Sequence, residues 1–149
     1  MAMSNDDVIA TLNELVATCR DGEEGFRTAA EAMRNPELRS LFLTYAQQRA
    51  DFRAELEGEI RRLGGEPSTR GSVAGSLHRG WMNVRSAVAG TTDEAVISEA
   101  ERGEDSAKRA YEEALRRDVP AGIRAIAERQ YARIKEAHDR VRALRERAA

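Results

Sequence analysis

The chain has 149 residues, enough for one domain with a buried core, read here as 1–149. Its 24 basic and 26 acidic residues nearly cancel, which removes the electrostatic case for nucleic acid or an anionic membrane surface. Only three prolines, abundant Ala, Glu, Arg and Leu, and no alternation of β-branched residues predict long helices and no sheet.

The first helix is expected over about 5–34. Ser4 or Asn5 caps it, Asp6 and Asp7 suit its first turn, and Val8, Leu12, Leu15, Cys19, Phe26, Ala30 and Met33 form its apolar stripe. Asn35-Pro36 ends it and opens a second helix over about 36–63, with Leu38, Phe42, Tyr45, Phe52, Leu56, Ile60 and Leu63 on one face. Gly64-Gly65 stops that helix, and Pro67 follows. Residues 64–91 make a connector far longer than a turn. Within it Leu77, Trp81, Val84 and Val88 recur at helical spacing, so a short amphipathic helix is expected over about 73–88, packing Trp81 against the bundle or, as the alternative, meeting a partner through that stripe. Thr91-Thr92-Asp93-Glu94 reads as a capping box opening a third helix over about 92–117, with Val96, Ala100, Ala107, Tyr111 and Leu115 inward. Asp118-Val119-Pro120 is the last turn, and Ile123, Ile126, Ile134, Val141 and Leu144 mark a fourth helix over about 120–147.

Four helices with one apolar stripe each predict an all-α four-helix bundle. The two short turns make two antiparallel hairpins, and the long connector permits a crossover along the bundle. No uncharged apolar run is long enough to span a bilayer, and the acidic N-terminus is unlike a signal peptide. A single cysteine, Cys19, excludes an internal disulfide and fits a cytoplasmic location.

Polar residues interrupt the stripes near the middle of each helix: Glu23, Arg49 with its neighbour Gln48, Glu104 and Gln130. An unpaired charge in a bundle core costs several kcal/mol, roughly, so such residues form either a site or an internal network. A carboxylate-bridged dimetal site needs two lone glutamates and a Glu-x-x-His on each of two other helices. Glu23 and Glu104 suit the first role, but Gln48 to Asp51 and Gln130 to Arg133 hold no such pair. Arg49 does not ligate a metal, and it supplies the positive charge a metal would bring. The expectation is therefore a polar layer in which Arg49 lies between Glu23 and Glu104 and Gln130 completes the hydrogen bonds. The alternative is an iron or manganese site drawn from Glu23, Glu101, Glu104 and His138, where Glu101 and Glu104 share a helix turn. Tyr45 and Tyr111 fall on the stripes, with hydroxyls available to the polar layer.

The two hairpins, the long crossover and the mid-helix Glu and Gln residues resemble the ferritin-like superfamily. The phrases Leu63-Gly64-Gly65-Glu66-Pro67, Leu77-His78-Arg79-Gly80-Trp81 and Glu101-Arg102-Gly103-Glu104-Asp105 resemble an uncharacterised bacterial family of ferritin-like four-helix-bundle proteins, a domain of unknown function. That resemblance covers nearly the whole chain and implies a fold without an established activity. From ferritins and rubrerythrins it carries over only Glu23 and Glu104. The resulting expectation is a cytoplasmic, non-enzymatic bundle with a structural or protein-interaction role, linked to stress responses by analogy with ferritin-like proteins. It needs no cofactor, and its partner is a second copy or another protein met through the Trp81 stripe. The alternative function is that of a divergent metal-binding carboxylate protein.

Overall fold

In a computed structural model of the chain, residues 3–72, 75 and 92–148 are described. Four helices form where the caps and the apolar spacing place them: α1 (Asn5–Ala32), α2 (Pro36–Arg62), α3 (Asp93–Arg116) and α4 (Ala121–Ala148). Apart from Gly75, the helix expected over about 73–88 lies outside the described residues, and so do Leu77, Trp81, Val84 and Val88.

Each boundary has a local cause. The Ser4 hydroxyl accepts from the Asp7 amide at 3.1 Å and caps α1, while Asn5 donates to the Leu63 carbonyl. The Asn35 carboxamide accepts from the amides of Glu37 and Leu38, and Pro36 occupies the first turn of α2. Gly64 has φ +84°, the left-handed conformation that closes a helix at little cost only for glycine. Thr92, not Thr91, caps α3 by accepting from the Ala95 amide. The one-residue shift places Ala95 where the capping box would need Glu94, so the reciprocal half of the box does not form. Arg124 then donates to the carbonyls of Leu115 and Arg117, satisfying groups that the end of α3 leaves open.

α1 packs on α2 and on α3, and α4 packs on α3 and on α2; α2 and α3 face each other across the bundle's diagonal. The direction of the connector follows from side chains on α1. Leu63 and Glu66 meet Asn5 and Asn13 near the start of α1, Ser68 meets Asn13 and Arg20, and Ser72 meets Asp21 at its middle. Asp93, at the start of α3, accepts from the amides of Arg34 and Asn35 just beyond the far end of α1. The chain therefore crosses the length of the bundle between α2 and α3, and those two helices run parallel. The order is up, down, down, up.

The apolar interior falls into two clusters. One gathers Leu12, Leu15, Cys19, Leu56, Tyr111 and Ile134, and the other Phe26, Met33, Phe42, Val96, Ile97 and Val141. Every residue of the four predicted stripes is buried or half-buried. Between the clusters, at the level of residues near 22 on α1, 49 on α2, 104 on α3 and 138 on α4, the interior turns polar.

Candidate functional site: a charge-filled centre

Arg49 is 0% exposed and Glu104 2%. Two parallel hydrogen bonds of 2.7 Å join them, from Nη1 to Oε1 and from Nη2 to Oε2. The pair spans the diagonal from α2 to α3, so one ion pair bridges helices whose backbones do not meet. The Arg49 Nε donates to the Gln48 carboxamide at 3.4 Å, and its guanidinium lies 5.4 Å from the centre of the Phe26 ring. Phe26 in turn meets Phe42 edge-on and Tyr45 at a tilt, which fixes the wall against which the guanidinium rests. Burial alone would push the Arg49 pKa down, but the charge and hydrogen bonds of Glu104 outweigh it and hold the guanidinium above its ordinary range.

The room for Arg49 comes from Gly22. A Cβ there would stand 3.0 Å from Nη1 and 3.1 Å from Cγ of Arg49. Alanine gains about 1 kcal/mol over glycine inside a helix, yet Gly22→Ala should lower stability, because Glu104 holds the guanidinium in place and it cannot retreat. Gly58→Ala, with open space around it on α2, should raise stability by about 0.5–1 kcal/mol. Urea unfolding of the two variants checks the contrast; a stabilising Gly22→Ala would mean that Arg49 moves freely.

Glu23 is not part of this pair. Its carboxylate binds Arg53 at 3.0 Å and Arg27 at 3.2 Å, and Arg53 and Arg20 also meet Glu57. The result is an alternating row of charges, Arg27, Glu23, Arg53, Glu57, Arg20, along the outer seam of α1 and α2. The expectation that Arg49 sits between Glu23 and Glu104 fails for a steric reason: Glu23 is at the stripe's edge, and Arg53, one turn beyond Arg49, reaches it first.

Gln130 also belongs elsewhere. It faces Tyr111, seven residues and two turns from Glu104, about 10 Å along the bundle. The Tyr111 hydroxyl donates to the Gln130 carbonyl oxygen at 2.7 Å, so the Cys19 thiol, 3.1 Å away, is the donor to Tyr111. The Gln130 amide donates to Glu55 at 2.8 Å and, more weakly, to the Phe52 carbonyl, and Arg129 also binds Glu55. This second network begins at a buried thiol and ends at the surface. Tyr111 reaches the polar interior as the sequence reading expected. The part of Glu55 was not foreseen, because on helix two it reads as one of many solvated glutamates.

The α3–α4 seam holds the remaining sequence candidates. His138 is 5% exposed, with Nε2 at 2.6 Å from Asp105 and Nδ1 at 3.1 Å from Asp139. Glu101, half-buried, pairs with Arg145. Donor atoms of Glu101, Asp105 and His138 all lie within 4.8 Å of one another. Glu104 and Glu23 are not in this group. Asp105 was missed as a candidate, although its position four residues after Glu101 places both on one helix face.

A dimetal site of the bundle type does not fit these donors. The centre is filled by a guanidinium whose two arms are bound to Glu104, Glu23 is engaged by two arginines, and Gln130 is turned to Tyr111. Among the described residues no helix is long and apolar enough to cross a membrane.

Against known proteins, a family model described as Domain of unknown function (DUF2383) matches residues 7–117. No curated protein matches. Among solved structures, a two-domain protein from Anabaena variabilis containing DJ-1/ThiJ/PfpI-like and ferritin-like domains is similar over 99% of this chain, at 19% identity and TM-score 0.79. The chain spans 41% of that protein's length. A mutant of Mycobacterium smegmatis Dps1 is similar over 96% of this chain and 99% of its own, at 13% identity and TM-score 0.77. At these identities the likeness establishes the fold, a ferritin-like four-helix bundle.

Proposed function

Since the chain belongs to the family described as Domain of unknown function (DUF2383), with a ferritin-like fold, we propose that it is a non-enzymatic ferritin-like bundle with a structural or protein-interaction role. The observation that carries this reading is the bidentate Arg49–Glu104 pair, buried where a dimetal cluster would need open carboxylates. A guanidinium stays charged and offers no lone pair, so the centre neutralises its own glutamate and leaves no position for an oxidisable metal. What remains useful is a bundle frame with charged outer faces and a long connector between α2 and α3. By analogy with ferritin-like proteins, that role is placed in stress responses. On sequence grounds the partner, a second copy or another protein, meets the stripe Leu77, Trp81, Val84 and Val88 in the crossover.

The test is metal content after expression with added iron and manganese, together with ferrous oxidation followed by absorbance. We expect oxidation no faster than in buffer. Retained iron or manganese that is lost in Glu23→Gln, a change that leaves the Arg49–Glu104 pair intact, would overturn the reading. Sedimentation supplies the companion measurement: Trp81→Ala should weaken any self-association while the helices stay folded, and an unchanged profile in an associating protein would count against the stripe.

A further inference from the structure

We propose that Glu101, Asp105 and His138 bind a divalent first-row transition ion on the seam between α3 and α4, outside the centre of the bundle. The three donors lie within 4.8 Å of one another. Glu101 and Asp105 stand one turn apart on α3, and His138 reaches them from the antiparallel α4.

The surroundings of His138 carry the argument further. Both ring nitrogens face carboxylate oxygens, Nε2 at 2.6 Å from Asp105 and Nδ1 at 3.1 Å from Asp139. A neutral imidazole has one N–H, so one nitrogen must present its lone pair to an oxygen that also carries lone pairs. A cation held beside the ring would satisfy lone pairs on both sides of that contact. Asp139 on Nδ1 is the outer partner that orients metal-bound histidines, fixing the tautomer and directing the Nε2 lone pair toward Asp105 and Glu101. The imidazole is almost fully buried while the Asp105 carboxylate is about half exposed, so the site has a fixed wall and an open mouth. Arg145 engages Oε2 of Glu101, so Glu101 would bind the ion through Oε1.

One imidazole nitrogen and two carboxylate oxygens suit zinc or manganese, with water in the open position. At about 2.1 Å from a tetrahedral ion, Nε2 and Oδ1 would stand about 3.4 Å apart. Asp105 must therefore swing outward by less than about 1 Å, which its exposed position allows.

The experiment uses the full chain, stripped with chelator and titrated calorimetrically with zinc chloride, with manganese chloride as a second arm. We expect one zinc per chain and a higher melting temperature with zinc. Asp105→Asn and His138→Gln should each weaken binding at least ten-fold and abolish the thermal shift. Asp139→Asn, which keeps all three ligands, should weaken it by about 10–100-fold. Asp51→Asn, a surface carboxylate elsewhere on the bundle, should change nothing. Circular dichroism without zinc confirms that each variant is folded, and Glu101→Gln replaces His138→Gln if that variant is not. No one-to-one binding by the wild type would overturn the proposal, and so would equal binding by the wild type and Asp105→Asn. Glu23→Gln should leave zinc binding intact, so this outcome is separate from the test of the central pair.

Discussion

Arg49→Ala should destabilise the bundle by about 3 kcal/mol or more, the cost of leaving Glu104 charged and unpaired in the interior. The loss is larger than the pair's own net contribution, because burying both charges already costs several kcal/mol, roughly, before their attraction offsets it. The double variant Arg49→Met with Glu104→Leu should therefore recover most of the stability, or exceed the wild type by about 1–4 kcal/mol. Urea unfolding of the wild type, the single variant and the double variant decides the matter. A single variant within error of the wild type would mean that water reaches Glu104. A double variant as poor as the single one would assign the loss to packing against Phe26 instead of to charge.

Stability should fall steeply above pH 9. Burial pushes the Cys19 thiol from 9.0 up to about 11. Burial, then the neighbouring Cys19, raises the Tyr111 hydroxyl well above its ordinary value of 10.0. For both groups the fold favours the neutral, protonated form. The unfolded chain releases these protons first, so between the unfolded and folded pKa values it holds fewer protons than the native state, and stability declines as pH rises. The contribution is complete below the unfolded values and is lost as pH climbs through them toward the folded ones. For Cys19 the two-unit window from 9 to 11 corresponds to about 3 kcal/mol at 1.36 kcal/mol per unit. Unfolding free energies at pH 8 and pH 10.5 measure it, and Cys19→Ala should flatten the decline over that range. A level profile in the wild type would show that the thiol and the phenol are hydrated. The same burial makes Cys19 a poor nucleophile, consistent with its place as a hydrogen-bond donor.

Much of the architecture was legible along the chain. Asn35-Pro36, Gly64 and Pro120 punctuate the helices through fixed backbone preferences that act within a few residues, so the boundaries were readable to within one or two positions. The stripes were readable because a helix repeats every 3.6 residues whatever surrounds it. Thr92 displaced Thr91 as the cap because neighbouring threonines compete for one role, and local spacing does not choose between them.

The partnerships within the centre were not legible in the same way. Glu23, Arg49, Glu104 and Gln130 each stand near the middle of a helix, and equal depth along four separate helices suggested one layer. Packing divided them into three groups: Arg49 with Glu104 across the diagonal, Glu23 with Arg53 and Arg27 on the seam, and Gln130 with Tyr111 and Glu55 two turns away. The relative shift and rotation of packed helices set which side chains meet, and these depend on how side chains from all four helices interlock. A single helix's sequence records which way a residue faces but not what it faces. His138 illustrates the point: its place at the stripe's edge was evident, whereas the meeting with Asp105 and Glu101 depended on the register between α3 and α4. By itself the sequence determined helices, caps and an inward polar residue on each, because those follow from local backbone and periodicity. The tertiary structure alone decided that the innermost arginine would close on a glutamate from the opposite helix, because only packing brings residues 55 positions apart to within 2.7 Å.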